Sequence, residues 1–329
     1  MTSHLTGSLA SIKKGRINNP MGRLINGQWT DTSIVTSSNK GEYERVKQSF
    51  LELISDDHPQ FKPESNRYHL YVSYACPWAH RTLIYRSLKS LEAHISVTVV
   101  CPDMLAHGWT FETQFPGSTG DQLYHQKYLY ELYQKAAPQI STTVTVPVLW
   151  DKKEATIVNN ESSQIIRIFN TAFNQITGNT DNFYPSQLQA DIDQMNTLTY
   201  NAINNGVYRC GFAKTQDAYE EAVTVLFDTL QDLDTHLSTH SYLVGNQLTE
   251  ADIRLVTTLL RFDPVYVTHF KCNIKRLIDF PNLYAYLNRL RELPAISSST
   301  HLDHIKRHYF YSHHFINPYR IIPLGPKAY

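Results

Sequence analysis

The chain has 329 residues, 42% of them apolar, more than one small core needs and enough for two domains of ordinary size. Lysine plus arginine and aspartate plus glutamate both number 30, which removes any electrostatic case for nucleic acid or an anionic membrane as the main partner. No run of about 18 apolar residues occurs, so no spanning helix is expected, and the scattered Cys76, Cys101, Cys210 and Cys272 have neither disulfide-framework nor zinc-ribbon spacing.

Residues 1–66 are polar and punctuated by Asn19-Pro20, Asn26-Gly27 and Ser37-Ser38-Asn39, and read as an extended N-terminal arm that packs on something else. Met1 to Asn19 contain no apolar segment followed by a small-residue cleavage pattern, so a secretory signal is not expected. Lys13, Lys14 and Arg16 among Ser and Thr leave a mitochondrial presequence open. Free thiols without an export signal point to the cytoplasm.

From Tyr68 the pattern changes. Tyr68 to Ser73 alternates as a strand, Pro77 to Leu88 carries apolar residues at helical spacing, and Ile95 to Cys101 is a β-branched strand, together a βαβ unit. Val146 to Trp150 and Ala155 to Val158, separated by Asp151-Lys-Lys-Glu154, predict a hairpin, and Glu161 to Phe169 predicts the next helix. That order suits a thioredoxin-like α/β domain over 67–170 better than a doubly wound nucleotide fold. Pro102 to Thr145 is longer than an ordinary connection and is a candidate functional loop. Residues 171–185 have linker composition, and beyond them the spacing predicts helices over Leu188–Ile203, Gln216–Leu237, Glu250–Phe262, Pro281–Leu290 and His301–Tyr309. The second domain, 186–329, is therefore all-helical with a C-terminal extension.

Cys76-Pro77 follows a strand and opens a helix, which puts the thiol at the positive end of the helix dipole and favours a thiolate below the ordinary pKa of about 8.5. The alternative is a buried cysteine capping a core helix. The fourth position is Ala79, so no resolving cysteine follows and a mixed disulfide on Cys76 needs an outside thiol, which points to glutathione. Pro147 at the head of a strand suits a cis turn that leaves the Val146 backbone open to an extended peptide. Glu161 and Ser162 suit the amino-acid end of a ligand, although taken alone they read more readily as a helix cap. Of the 21 tyrosines, Tyr200, Tyr208, Tyr266, Tyr309 and Tyr311 lie in the helical half, where they either pack or donate protons. His301, His304 and His308 share a helical face, but no carboxylate or thiol completes a ligand set, and no metal is expected. Thr249 with Asp252 reads as a capping box, and Gly117-Ser-Thr-Gly120 lacks the lysine of a phosphate loop.

Taken in order, Tyr74-Ala-Cys-Pro-Trp-Ala-His-Arg81, Gly108-Trp-Thr-Phe111, Thr145-Val-Pro-Val-Leu-Trp-Asp151, Ile157-Val-Asn-Asn-Glu-Ser-Ser163, Asn204-Asn-Gly-Val-Tyr208, Arg261-Phe-Asp-Pro-Val-Tyr266 and His304 to Tyr309 resemble the glutathione transferase superfamily. Within it they are most similar to the glutathionyl-hydroquinone reductases, or Xi class. The resemblance implies a thioredoxin-like domain joined to an all-α transferase domain, a homodimer, and glutathione as co-substrate with glutathionylated hydroquinones as partners. It further implies a nucleophile at Cys76, a proton donor or acceptor at Tyr208, and Tyr266 and Tyr309 beside Cys76 keeping its pKa low. Trp109 would stack on the tripeptide; Thr143, Val144, Thr145 and Val146 would lie along it, and Glu161 with Ser162 would hold its γ-glutamyl end. The family carries an arginine where this chain has Thr143, so that charge contact is expected to be weaker or supplied by another base. The rival readings are an omega-like thiol transferase or dehydroascorbate reductase, and a binding module that keeps the fold without chemistry.

Overall fold

The computed structural model describes residues 22–31 and 36–326, so the basic stretch around Lys13, Lys14 and Arg16 lies outside the described residues. The arm carries two small sheets. Arg23–Ile25 (β1) and Gln28–Thr30 (β2) form a hairpin about Asn26-Gly27, and Thr36–Ser37 (β3) pairs antiparallel with Tyr43–Glu44 (β4).

The central sheet is built from Tyr68–Val72 (β5), then Pro77–Leu88 (α1), Ser96–Val99 (β6) and, after the long insertion, further strands. The insertion holds Leu129–Ala136 (α2) and Thr142–Thr143 (β7), a strand that adds to the β1–β2 hairpin. Val148–Asp151 (β8), Thr156–Asn159 (β9) and Ser162–Thr171 (α3) complete the domain. The strand order is β6-β5-β8-β9, with only the β5–β6 pair parallel. The central strand β5 is buried on both faces and still accepts polar side chains because each finds a partner. Tyr71 donates to Asp121 Oδ1 at 3.1 Å, and the ring nitrogens of His69 face Ser96 Oγ and Thr98 Oγ1 at 2.7 and 2.9 Å.

The remainder is helical: Asn174–Thr177 (α4), Gln189–Thr199 (α5), Gly206–Phe212 (α6), Gln216–His236 (α7), Glu250–Arg261 (α8), Val267–His269 (α9), Pro281–Arg291 (α10), Pro294–Ser297 (α11) and Leu302–Arg307 (α12). The fold is thus the expected thioredoxin-like α/β unit followed by an all-α unit. The five predicted helices coincide with α5, α7, α8, α10 and α12, whereas α6 was hidden by Gly206 and Gly211. Gly211 is required by contact, since a Cβ there would stand 2.2 Å from the Phe270 ring. The capping box forms, with Thr249 N–H and Oγ1–H donating to Asp252 Oδ2 at 2.8 and 2.9 Å.

The two units are joined by Arg261 at the end of α8, which is fully buried. Its guanidinium donates to the carbonyls of Ala75 (2.8 Å), Tyr74 (3.0 Å) and Thr257 (2.7 Å) and to His80 Nδ1 (3.1 Å). Burial pushes the His80 pKa well below its ordinary value, so the ring is neutral: Nδ1 accepts from Arg261 and Nε2–H donates to Ser299 Oγ at 2.9 Å. Replacing Arg261 by Met leaves several buried acceptors without a donor, and unfolding in urea is expected to show a loss of about 3 kcal/mol or more. An unchanged midpoint would contradict this account of the joint.

Candidate active site

Cys76 is the residue before α1, in extended conformation with Pro77 as the first helical residue, and its N–H donates to Ser73 O at 3.1 Å. The thiol lies 3.6 Å from Val146 O. The Val146–Pro147 peptide is cis, and Val146 N–H makes no hydrogen bond to any described residue. The partly buried thiol opens on a cleft of about 650 Å³ that is walled by the arm, the sheet unit and the helices.

The electrostatic outcome at Cys76 differs from the sequence expectation. Burial pushes the thiol above its ordinary value and outweighs the N–H groups of Ala79 and Trp78 and the charges of Arg261 and Arg45, all of which act to lower it. The helix N-terminus and the cations are present as the sequence implied. The surrounding protein is the larger effect.

Tyr208, Tyr266 and Tyr309 come together from three separate helical segments. Tyr309 sits in the middle, its hydroxyl 2.6 Å from that of Tyr208 and 3.1 Å from that of Tyr266. Each segment contains a π-helical turn: Tyr200–Asn204 just before α6, Phe262–Tyr266 after α8, and His308–Ser312 after α12. Such turns are rare in ordinary helices and cluster at functional sites. Burial pushes the Tyr208 and Tyr309 phenols well above their ordinary value and Tyr266 up to about 12, so all three stay protonated at neutral pH. Tyr208 and Tyr309 line the cleft; Tyr266 lies behind them. Their hydroxyls bond one another, and none donates to the Cys76 sulfur.

Trp109, Val144, Thr145, Val146, Glu161 and Ser162 all line the same cleft. Trp109 stacks on His308 with centroids 4.7 Å apart. Glu161 caps α3, its Oε1 accepting from Ser163 N (3.0 Å) and Ser163 Oγ (2.9 Å), while its Oε2 makes no hydrogen bond to a described residue. Helix cap and ligand contact are therefore compatible roles for this carboxylate. Thr143 is different: it is buried in β7 opposite Arg23 and does not reach the cleft wall.

Two comparisons with family profiles match residues 75–172 to the glutathione S-transferase N-terminal domain and residues 216–289 to the C-terminal domain. The glutathionyl-hydroquinone reductase YqjG of Escherichia coli K12 is 54% identical over 313 residues, 93% of this chain and 95% of that protein. The chain belongs to the glutathionyl-hydroquinone reductase family, the Xi-class glutathione transferases. Among solved structures, the Xi transferase of Phanerochaete chrysosporium superposes with a TM-score of 0.86 at 51% identity, covering 88% of this chain and 95% of that one. The glutathione-bound structure of YqjG superposes with a TM-score of 0.84 at 52% identity, covering 93% and 96%.

The N-terminal arm also contributes to the cleft. Gly22, Trp29, Tyr43, Arg45 and Gln48 all line it, although the arm's sequence shows no periodic pattern. Arg45 lies over the Trp78 and Tyr208 rings, 4.4 and 5.1 Å from their centroids, and donates to Asn205 Oδ1 at 3.0 Å. Trp29 is seated between Gly22 and Gly108, where a Cβ would stand 2.4 and 2.7 Å from its ring. The histidines serve separate contacts: His301 stacks on Tyr74 (3.7 Å), and His304 Nε2 and His308 Nδ1 face the carbonyls of Pro116 (2.7 Å) and Pro102 (3.0 Å). Among the described residues no three His, Cys, Asp or Glu converge as a metal set.

Alkylation of Cys76 by iodoacetamide in the absence of glutathione is expected to rise with a midpoint above the ordinary thiol value of about 8.5. Arg45→Ala moves that midpoint further up, because it removes a charge that favours the thiolate. A wild-type midpoint below neutrality would contradict the balance described.

Proposed function

We propose that this chain reduces glutathionyl-hydroquinones to hydroquinones with glutathione as co-substrate. The observation that carries the reading is one cleft with the Cys76 thiol beside Val146, whose N–H pairs with no described residue, and the hydrogen-bonded Tyr208–Tyr309 hydroxyls on its wall. The glutathione-bound structure of YqjG, and that protein's activity by name, support it. Glutathione lies along Val144, Thr145 and Val146 under Trp109, with its γ-glutamyl end at Glu161 and Ser162.

In the first step the Cys76 thiolate attacks the sulfur of the conjugate, forming an S–S bond as the aromatic C–S bond breaks. The electron pair of that bond goes to the ring carbon, which takes a proton delivered by Tyr208. Hydroquinone leaves and Cys76 carries glutathione. A second glutathione thiolate attacks the mixed disulfide, giving oxidised glutathione and restoring Cys76. Tyr208 is suited to hand over a proton because burial keeps it protonated, and the Tyr309 hydroxyl, backed by Tyr266, fixes its orientation. We assign Tyr266 and Tyr309 to this support and, with Arg261 and Arg45, to the setting of the Cys76 pKa once the site is closed around ligand. The reading includes the division at 67–170 and 186–329, a homodimer, and a cytoplasmic location suited to the four free thiols.

The test compares a menadione-type glutathionyl conjugate with dehydroascorbate. Cys76→Ala is expected to abolish turnover of both. Tyr208→Phe is expected to lower turnover of the conjugate by about a hundredfold or more while sparing dehydroascorbate, whose reduction needs no protonated ring carbon. Full turnover by Cys76→Ala, or wild-type preference for dehydroascorbate, would refute the proposal.

A further inference from the structure

We propose that the hydrogen-bonded pair His313 and His269 is a proton relay that reloads Tyr208 between turnovers from a second cavity behind the cleft. The proposal rests on the reaction read above and adds two residues to it. In that reaction Tyr208 gives a proton to the ring carbon in each turnover, and the second glutathione gives one up when its thiol ionises. One proton must therefore reach the tyrosines and another must leave, while ligand in the cleft covers the small open parts of Tyr208 and Tyr309.

His269 ends α9 and His313 follows the π-helical turn after α12, so the two segments that bring the pair together also supply Tyr266 and Tyr309. The imidazole rings stack with centroids 5.3 Å apart, and His269 Nε2 lies 3.1 Å from His313 Nδ1. His313 lines the cleft and meets the Tyr309 ring edge to face at 5.5 Å. His269 lines a separate cavity of about 830 Å³, walled by Phe310, Phe315 and the C-terminal segment around Ile321. Phe212 lines both cavities, so the partition between them is thin at this point. The outer nitrogens, His313 Nε2 and His269 Nδ1, bond to no described residue, and neither is sealed from solvent. The pair thus has one open end in each cavity. Rings that served packing alone would be expected to end on carbonyls, as His304 and His308 do.

Burial pushes His269 down to about 3 and His313 well below its ordinary value, so both rings are neutral and each carries one N–H. Inward transfer therefore needs no imidazolium. His313 Nε2–H passes its proton over one water to Tyr309, as Tyr309 passes its own to the Tyr208 phenolate 2.6 Å away. The His269 Nε2 proton moves to His313 Nδ1, and His269 Nδ1 takes one from solvent in the second cavity. When the second glutathione ionises, His313 Nε2 accepts the thiol proton and the same bonds carry a proton outward, which returns both rings to their first tautomers. One proton has entered and one has left, and the sum is the thiol hydrogen appearing on the hydroquinone ring.

The test separates the first turnover of the full chain from those that follow, using a menadione-type glutathionyl conjugate. His269→Gln keeps a hydrogen-bonding group beside His313 but cannot pass a proton. Because Tyr208 starts protonated, this variant is expected to release the first equivalent of hydroquinone at the wild-type rate when no free glutathione is present. With glutathione added, its steady-state kcat is expected to fall about tenfold or more while KM changes by less than about twofold. His269→Ala opens space beside the second cavity, and added imidazole is expected to restore most of its kcat in a saturable way while leaving wild type and His269→Gln unchanged. Wild-type kcat in His269→Gln, an equal loss in its first turnover and its steady state, or no rescue of His269→Ala by imidazole would overturn the proposal. Any of these with a wild-type chain that turns over the conjugate removes the relay and leaves the reaction standing. A wild-type chain that does not turn over the conjugate overturns both.

Discussion

One buried guanidinium decides where the reactive cysteine stands. Arg261 ends α8, yet two of its donors hold the carbonyls of Tyr74 and Ala75, the two residues that lead into Cys76. A third faces His80 on α1, and through His80 and Ser299 the same bond chain reaches α11. The turn before α1 therefore takes its shape from the helical unit as well as from its own sheet. Arg261 is also one of the charges that favour the thiolate, so the residue that fixes the position of Cys76 contributes to its reactivity. Lysine could supply the charge but not the planar fork that satisfies several carbonyls at once.

Around that anchor the cleft sets opposing effects against each other. Burial disfavours charge on Cys76 and on the three tyrosines; the Arg261 and Arg45 guanidinium groups favour it on the sulfur and on the phenols, and the N–H groups of Ala79 and Trp78 add to this at the sulfur. The result is a set of phenols that hold their protons beside a thiol that has several groups ready to stabilise its anion. Sulfur attack and proton delivery need just that division between neighbouring groups. The three π-helical turns contribute by widening the backbone locally where Tyr208, Tyr266 and Tyr309 meet.

Much of this could be read in the sequence, and the reasons differ by element. Tyr68–Val72, α1 and β6 carry strong period-two and helical signals, and Cys76-Pro77 marks its own helix start. Ala79 excluded a resolving cysteine without any structure. The arm was legible only as polar chain, because Arg45 and Trp29 acquire meaning from rings and carbonyls contributed by distant segments. The surroundings of Thr143, buried in β7 opposite Arg23, depend on register with β1, which composition does not reveal. The direction of the Cys76 pKa was missed for a related reason: the helix terminus is local and visible, whereas burial is a property of the assembled cleft.

The central claim is that chemistry passes through a covalent Cys76–glutathione disulfide. Mass spectrometry of the chain after one equivalent of a glutathionyl-hydroquinone, with no free glutathione, tests it most directly. The account predicts one glutathionyl group, located on the peptide that contains Cys76, released hydroquinone in equal amount, and loss of the adduct when glutathione is added. Hydroquinone release without an adduct, or an adduct on Cys101, Cys210 or Cys272 instead, would contradict it.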